Sequence, residues 1–252
     1  MWIFEQWRQR RILKQSGIDD TLWSSVTSQL PLLHRFTAAE MKRLRVLVQL
    51  FLHDKVIEPV QGLMLDEAGR LRIAILACLP ILKLDFSWYD GWVELVIYPD
   101  DFINSHGGVD EAGLVHSQPN VLSGEAWSQG PVILSWTSIL AAGQGRGHNV
   151  VVHEMAHKLD MLNGAANGFP PLHARMKQQA WSDAFAAAYE DLSRRVANGG
   201  HSEINSYAAT NPAECFAVCS EYFFDAPELL LHHYPDVYRQ LSLFYRQEPA
   251  RR

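Results

Sequence analysis

Two histidines four residues apart enclose a glutamate in the stretch Asn149-Val150-Val151-Val152-His153-Glu154-Met155-Ala156-His157-Lys158-Leu159-Asp160. Imidazoles at i and i+4 stand one turn apart on the same helix face, so His153 and His157 can both reach one metal ion. Glu154 is rotated by about 100° from His153, near enough to work on a water at that ion without displacing it. His-Glu-x-x-His is the pattern in which two imidazoles bind zinc and the Glu acts as general base. A catalytic zinc also needs a third protein ligand and one open position. The continuation His-x-x-Gly-x-x-His does not supply it, because those last two fixed positions are Asp160 and Asn163 here. The third ligand must come from elsewhere, and Glu is the usual supplier.

Glu214 is the first candidate. In Asn211-Pro212-Ala213-Glu214, Asn211 can cap a helix with Pro212 at its first position, which puts Glu214 in the first turn. Asn-x-x-Glu is also capping-box spacing, so the residues alone leave Glu214 as ligand or as cap. Glu221, seven residues on and on the same face, is the second candidate; Glu190 and Glu203 are two more. Asp160, three residues after His157, either orients a ligand imidazole or is a plain surface carboxylate.

The elements that must position these groups follow from the pattern. Asn149 can cap the metal-site helix and Asn163-Gly164 can stop it, while Val150, Val151, Val152, Met155, Ala156, Leu159 and Leu162 bury most of its circumference. Upstream, a helix is expected over 19–35, interrupted at Pro31. The capping box Thr37-Ala38-Ala39-Glu40 opens another helix through Met41, Leu44, Val48, Leu52 and Val56, ended by Glu58-Pro59. A short strand at 60–65, a buried helix over 70–82 and a strand at Trp92–Tyr98 come next. Residues 103–130 have few periodic segments, and a connection this long is usually functional or disordered. Pro131–Trp136 reads as a strand whose free edge could hold an extended peptide beside the metal. Helices near 170–198, 212–224 and 235–247 complete the chain. The fold class is therefore α+β and mainly helical.

Composition bounds the rest. With 252 residues, 48% of them hydrophobic and 20% charged, the chain is globular and long enough for a sizeable core. A net charge of −6 argues against a nucleic-acid surface. No signal peptide and no 18-residue apolar run is visible, so no membrane span is expected. Residues 1–14 mix Trp2, Ile3, Phe4 and Trp7 with Arg8, Arg10, Arg11 and Lys14, as a helix docked on the core or on a membrane surface would. Cys78, Cys215 and Cys219 do not resemble a disulfide framework, which points to a reducing compartment and a cytoplasmic location.

Several stretches carry a more specific likeness: Gly113-Leu114-Val115-His116, Gly130-Pro131-Val132-Ile133-Leu134, His153–Asp160, Tyr207–Ala217 and Ser220-Glu221-Tyr222-Phe223-Phe224. In these the chain resembles the Mlc titration factor A family of bacterial cytosolic zinc metallopeptidases. The resemblance implies a single zincin-like domain over 1–252, its N-terminal helical part about 1–84 packed on a catalytic core of about 85–252. It implies that His153, His157 and Glu214 bind one zinc ion per chain and that Glu154 is the catalytic base. It also implies that Tyr207, seven residues before the ligand Glu, donates a hydrogen bond to the reacting oxygen. His116 would be a further zinc ligand, held by the long loop as a latch over the open position. The implied activity is aminopeptidase-type hydrolysis of small peptides. The implied partner is the transcriptional repressor Mlc, whose binding relieves repression of the glucose phosphotransferase system, with or without catalysis.

Overall fold

Helices dominate the fold, and a small sheet gives the metal-site helix a surface to pack on. The computed structural model describes residues 11–12, 17–104, 120–122, 124–126, 130–200 and 202–251. Helix α1 (Asp20–Ser28) starts where the Asp19 carboxylate accepts from the Leu22 amide. After a 3-10 turn at Pro31–Arg35, α2 (Ala38–Asp54) opens with the reciprocal capping box expected of Thr37 and Glu40. It stops short of Val56. Lys55 is already extended, and its ammonium group turns inward to the carbonyl oxygens of Tyr89 and Trp92 and over the Trp92 ring.

Strand β1 is Val56–Pro59, earlier than the strand expected at 60–65. Gln61 and Gly62 have positive φ, a turn geometry that a strand cannot hold. Helix α3 (Glu67–Cys78) starts on Asp66 and is buried from Leu71 onward, as its apolar run Ile73–Cys78 demands; Arg72, buried with it, donates to the carbonyl oxygens of Ile139, Leu140 and Ala142. Strands β2 (Glu94–Tyr98), β3 (Phe102–Asn104), β4 (Asn120–Leu122), β5 (Gly124–Ala126) and β6 (Val132–Ser135) follow. Strands β4 and β5 lie inside the stretch expected to be irregular, and β3 overlaps its start. One sheet runs β1-β2-β6-β5, with β1, β2 and β6 parallel and β5 antiparallel to β6; β3 and β4 form a separate antiparallel pair. The strand expected to offer a free edge, β6, is therefore paired on both sides. Among the described residues the free edge beside the site is that of β5.

Helix α4 (Trp136–Ala141) leads into the metal-site helix α5 (Val150–Asp160), a 3-10 turn to Asn163 and Gly164 at φ 144°. Helix α6 (Gln178–Ala197) begins eight residues later than expected, because Pro170 and Pro171 keep the preceding segment out of the helical region. Helices α7 (Pro212–Asp225), α8 (Pro227–His233) and α9 (Pro235–Tyr245) each open on a proline, where its missing N–H is no loss. Helix α8 had no separate signal in the apolar pattern.

Buried apolar side chains from Trp23 to Tyr245 form one cluster. Beneath the site, Trp181 on α6 meets Phe185, Phe216 and Phe244, so α6, α7 and α9 are locked together two residues from Glu214. The Asp225 carboxylate accepts from the Gly145, Arg146 and Gly147 amides and holds the turn that feeds α5. Cys78, Cys215 and Cys219 are buried free thiols. Among the described residues no helix is long and apolar enough to cross a membrane.

Candidate metal centre

Helix α5 is capped as its sequence suggests: the Asn149 side chain accepts from the Val152 amide at 3.2 Å. All 11 of its residues are buried, so its polar side chains must find partners inside the protein. It packs more extensively on α7 than on any other element, and the polar groups of the two helices meet there.

The Nε2 atoms of His153 and His157 stand 3.2 Å apart. Glu214 Oε2 lies 3.0 Å from the first and 3.4 Å from the second. The ambiguity at Glu214 resolves in an unexpected way. Asn211 does cap α7, accepting from the Glu214 amide at 3.0 Å, while the Glu214 side chain faces the histidine pair. Backbone and side chain of the same residue serve the cap and the site separately.

The triangle fits a metal. Ligand atoms about 2.0–2.1 Å from a tetrahedral zinc stand about 3.3 Å from one another, which the three separations bracket. The donor set, two imidazole nitrogens and one carboxylate oxygen, is that of an open catalytic site. His153, His157 and Glu214 are also the one group of three or more convergent ligand side chains among the described residues.

Electrostatics couple the three groups. Burial works against a charged His153, but hydrogen bonds with Glu214 and Glu221 outweigh it and raise its pKa well above the usual value. Burial also works against an ionised Glu214, yet the hydrogen bonds from His153 and His157 hold its pKa well below the carboxylate range. Both shifts express one pairing, the histidine nitrogens donating to the Glu214 carboxylate where the three groups converge.

Glu221 does not join the triangle. It stands behind His153, with Oε1 accepting from Nδ1–H at 2.8 Å and Oε2 accepting from the Asn149 amide at 2.6 Å. This contact selects the tautomer that leaves the Nε2 lone pair facing the triangle, and it ties the start of α5 to α7. Glu221→Gln is expected to keep the fold and weaken metal affinity by about 10–100-fold. Chelator competition on the purified variant measures this, and an unchanged affinity would remove Glu221 from the site.

Neither role weighed for Asp160 is seen. It is fully buried, and its Oδ2 accepts from the Asn167 and Gly168 amides at 2.8 and 2.7 Å. It pins the segment that walls the site. Gly168, at φ 77°, lets that wall close on α7: a Cβ there would stand 2.4 Å from the Pro212 carbonyl oxygen. Glu203 instead pairs with His233 at 2.7 Å, and Glu190, on α6, is not in the convergent group.

A cavity of about 550 Å³ opens onto the triangle, lined in part by Gly124, Glu154, Met161, Asn167, Tyr207 and Pro212. Glu154 is 2% exposed, and burial pushes its pKa up to about 7 against the lowering effect of the two histidines. Its Oε2 has no hydrogen-bond partner among the described residues. Tyr207 lies on a 3-10 turn (Ser206–Ala209), its ring centroid 6.0 Å from that of His153. Burial, helped by the Glu214 and Glu154 charges, raises its phenol pKa, so it remains a donor. His116 lies outside the described residues. Sequence reasoning missed Gly124, Gly168 and Asp225, since a glycine or a lone Asp in a loop carries no signal of what packs against it.

Comparisons with known proteins agree with the geometry. A family model described as Glucose-regulated metallo-peptidase M90 matches residues 4–246. A protein named Mlc titration factor A from Escherichia fergusonii is 43% identical over 237 residues, 93% of this chain and 89% of its own. Proteins of the same name from Salmonella agona and Salmonella arizonae are each 42% identical over 249 residues, 98% of this chain and 92% and 97% of theirs.

Proposed function

Because the chain belongs to the glucose-regulated M90 metallopeptidase family, we propose that it is a zinc-dependent peptidase that cleaves small peptides in the aminopeptidase manner. The observation that carries this reading is the triangle of His153, His157 and Glu214 with Glu154 buried beside it. These three side chains would hold one zinc ion per chain, which when bound polarises the carbonyl and acidifies a water toward a pKa of about 7. Glu154 would take a proton from the attacking water as its oxygen bonds to the carbonyl carbon, and return it to the amine that leaves as the C–N bond breaks. Tyr207, neutral and half exposed on the cavity wall, donates its O–H to the carbonyl oxygen as negative charge develops there. The free edge of β5 offers backbone groups to an extended substrate. The preference for free amino termini rests on the family resemblance alone.

Purified protein should contain one zinc per chain and hydrolyse amino-terminal amide substrates. Glu154 must be ionised to act, and burial, opposed by the positive charge at the two histidines, holds its pKa at about 7. The acidic limb of kcat/KM is therefore expected to have its midpoint near pH 7. A chain without zinc, or without hydrolysis that depends on it, would overturn the reading.

The relatives' name supports a second role, binding of an Mlc-type repressor. The two roles are compatible; in the alternative, the chain titrates the repressor without catalysis and its zinc is regulatory or structural. The three buried free thiols support a reducing, cytoplasmic setting. The one cluster of buried side chains supports a single domain; the part before residue 84 adds strand β1 to the sheet as well as helices.

A further inference from the structure

Gly124 opens β5, the edge strand beside the site. Its backbone is not among the positive-φ positions, so conformational freedom does not explain a glycine there. Its neighbour does. A Cβ at this position would stand 2.4 Å from Glu154 Oε1, 2.8 Å from its Cγ and 2.9 Å from its Cδ. Glycine within a strand commonly marks such a close approach.

The geometry points to Gly124 as a positioning residue for the base, an inference that rests on the peptidase reading. The absent side chain leaves the slot in which the Glu154 carboxylate lies. Glu154 is anchored at its Cα in a helix buried on all sides, and its Oε2 is enclosed. When a methyl group fills the slot, the carboxylate end of this flexible side chain is the part that yields. The open volume available to it is the cavity that Gly124 and Glu154 both line. The displaced carboxylate then crowds the histidine pair and no longer faces a water at the reaction point. The fold survives such a change better than the chemistry does, because geometry errors near 1 Å in a catalytic group are costly.

The test compares wild type, Gly124→Ala, Glu154→Gln and the double variant, each loaded with zinc. Zinc per chain, kcat, KM on a small peptide amide and the carbon-13 carboxyl resonance of Glu154, assigned by its loss in Glu154→Gln, are measured. The expected result for Gly124→Ala is full zinc content, a shifted Glu154 resonance and a KM within about 3-fold of wild type. Its kcat should fall by about 10-fold or more, within the 10²–10⁴ that a positioned base contributes. In the Glu154→Gln background the same substitution should cost nothing further. An unmoved resonance, an unchanged kcat or an equal loss in both backgrounds would each overturn the proposal. If wild type and Glu154→Gln show no hydrolysis alike, the peptidase reading fails, while the resonance still decides whether Gly124 positions Glu154.

Discussion

Glu154→Gln is expected to keep its zinc and to lose about 10²–10⁴-fold in peptide hydrolysis, the usual contribution of a positioned general base. The amide has the shape of the carboxylate, so it fits the slot beside Gly124, but it cannot take a proton from water at neutral pH. Glu154 is outside the ligand triangle, so metal content should not change. The fold should not suffer either. Burial raises the carboxyl pKa from 4.5 to about 7, so the folded chain holds this proton where the unfolded chain has released it. Stability linked to Glu154 is thus present below pH 4.5 and lost as pH rises to about 7. Gln removes that penalty, and thermal unfolding of the metal-free variant near pH 8 should occur no lower than for wild type. Elemental analysis, peptide kinetics and unfolding of the same preparation check all three. A variant that hydrolyses as fast as wild type would remove Glu154 as the base, and hydrolysis by neither protein would leave the repressor-titrating role as the better account.

Glu214→Ala should abolish stable metal binding while leaving the helix in place. If the roughly 10–16 kcal/mol of a four-ligand zinc site is shared evenly, one ligand is worth about 2.5–4 kcal/mol. That corresponds to about 10²–10³ in affinity, enough for dialysis against a chelator to strip the ion. Helix α7 should persist, because Asn211 caps it through the backbone amide of residue 214 and Pro212 still opens it. Circular dichroism would report the retained helix, and zinc per chain after dialysis the lost ligand. Wild-type zinc retention in this variant would mean that another side chain completes the site.

The histidine pair and the base were legible because their arrangement is local. Residues four apart on a helix share a face whatever surrounds them, so His153, Glu154 and His157 could be read from spacing. The same holds for the Thr37–Glu40 capping box and for the prolines that open α7 and α9. Boundaries were less legible where a nonlocal partner took over, as when Lys55 left the helix for the Tyr89 and Trp92 carbonyls.

By itself, then, the sequence determined a mainly helical α+β chain with two histidines and a glutamate at metal-site spacing on one helix, and its likeness to a known family singled out Glu214 as the candidate third ligand. Only the tertiary structure decided that Glu214 turns its carboxylate from its own cap to His153, 61 residues away, and to His157, and that Glu221, 68 residues from His153, stands behind that imidazole rather than in the triangle. It also decided that Asp160 faces inward, that β6 is paired on both sides while β5 is the edge among the described residues, and that Gly124 lies against Glu154. The physical reason is the same in each case. Spacing along the chain fixes which side chains share a helix face, whereas the docking of α5 on α7 and of β5 beside them fixes what each face meets.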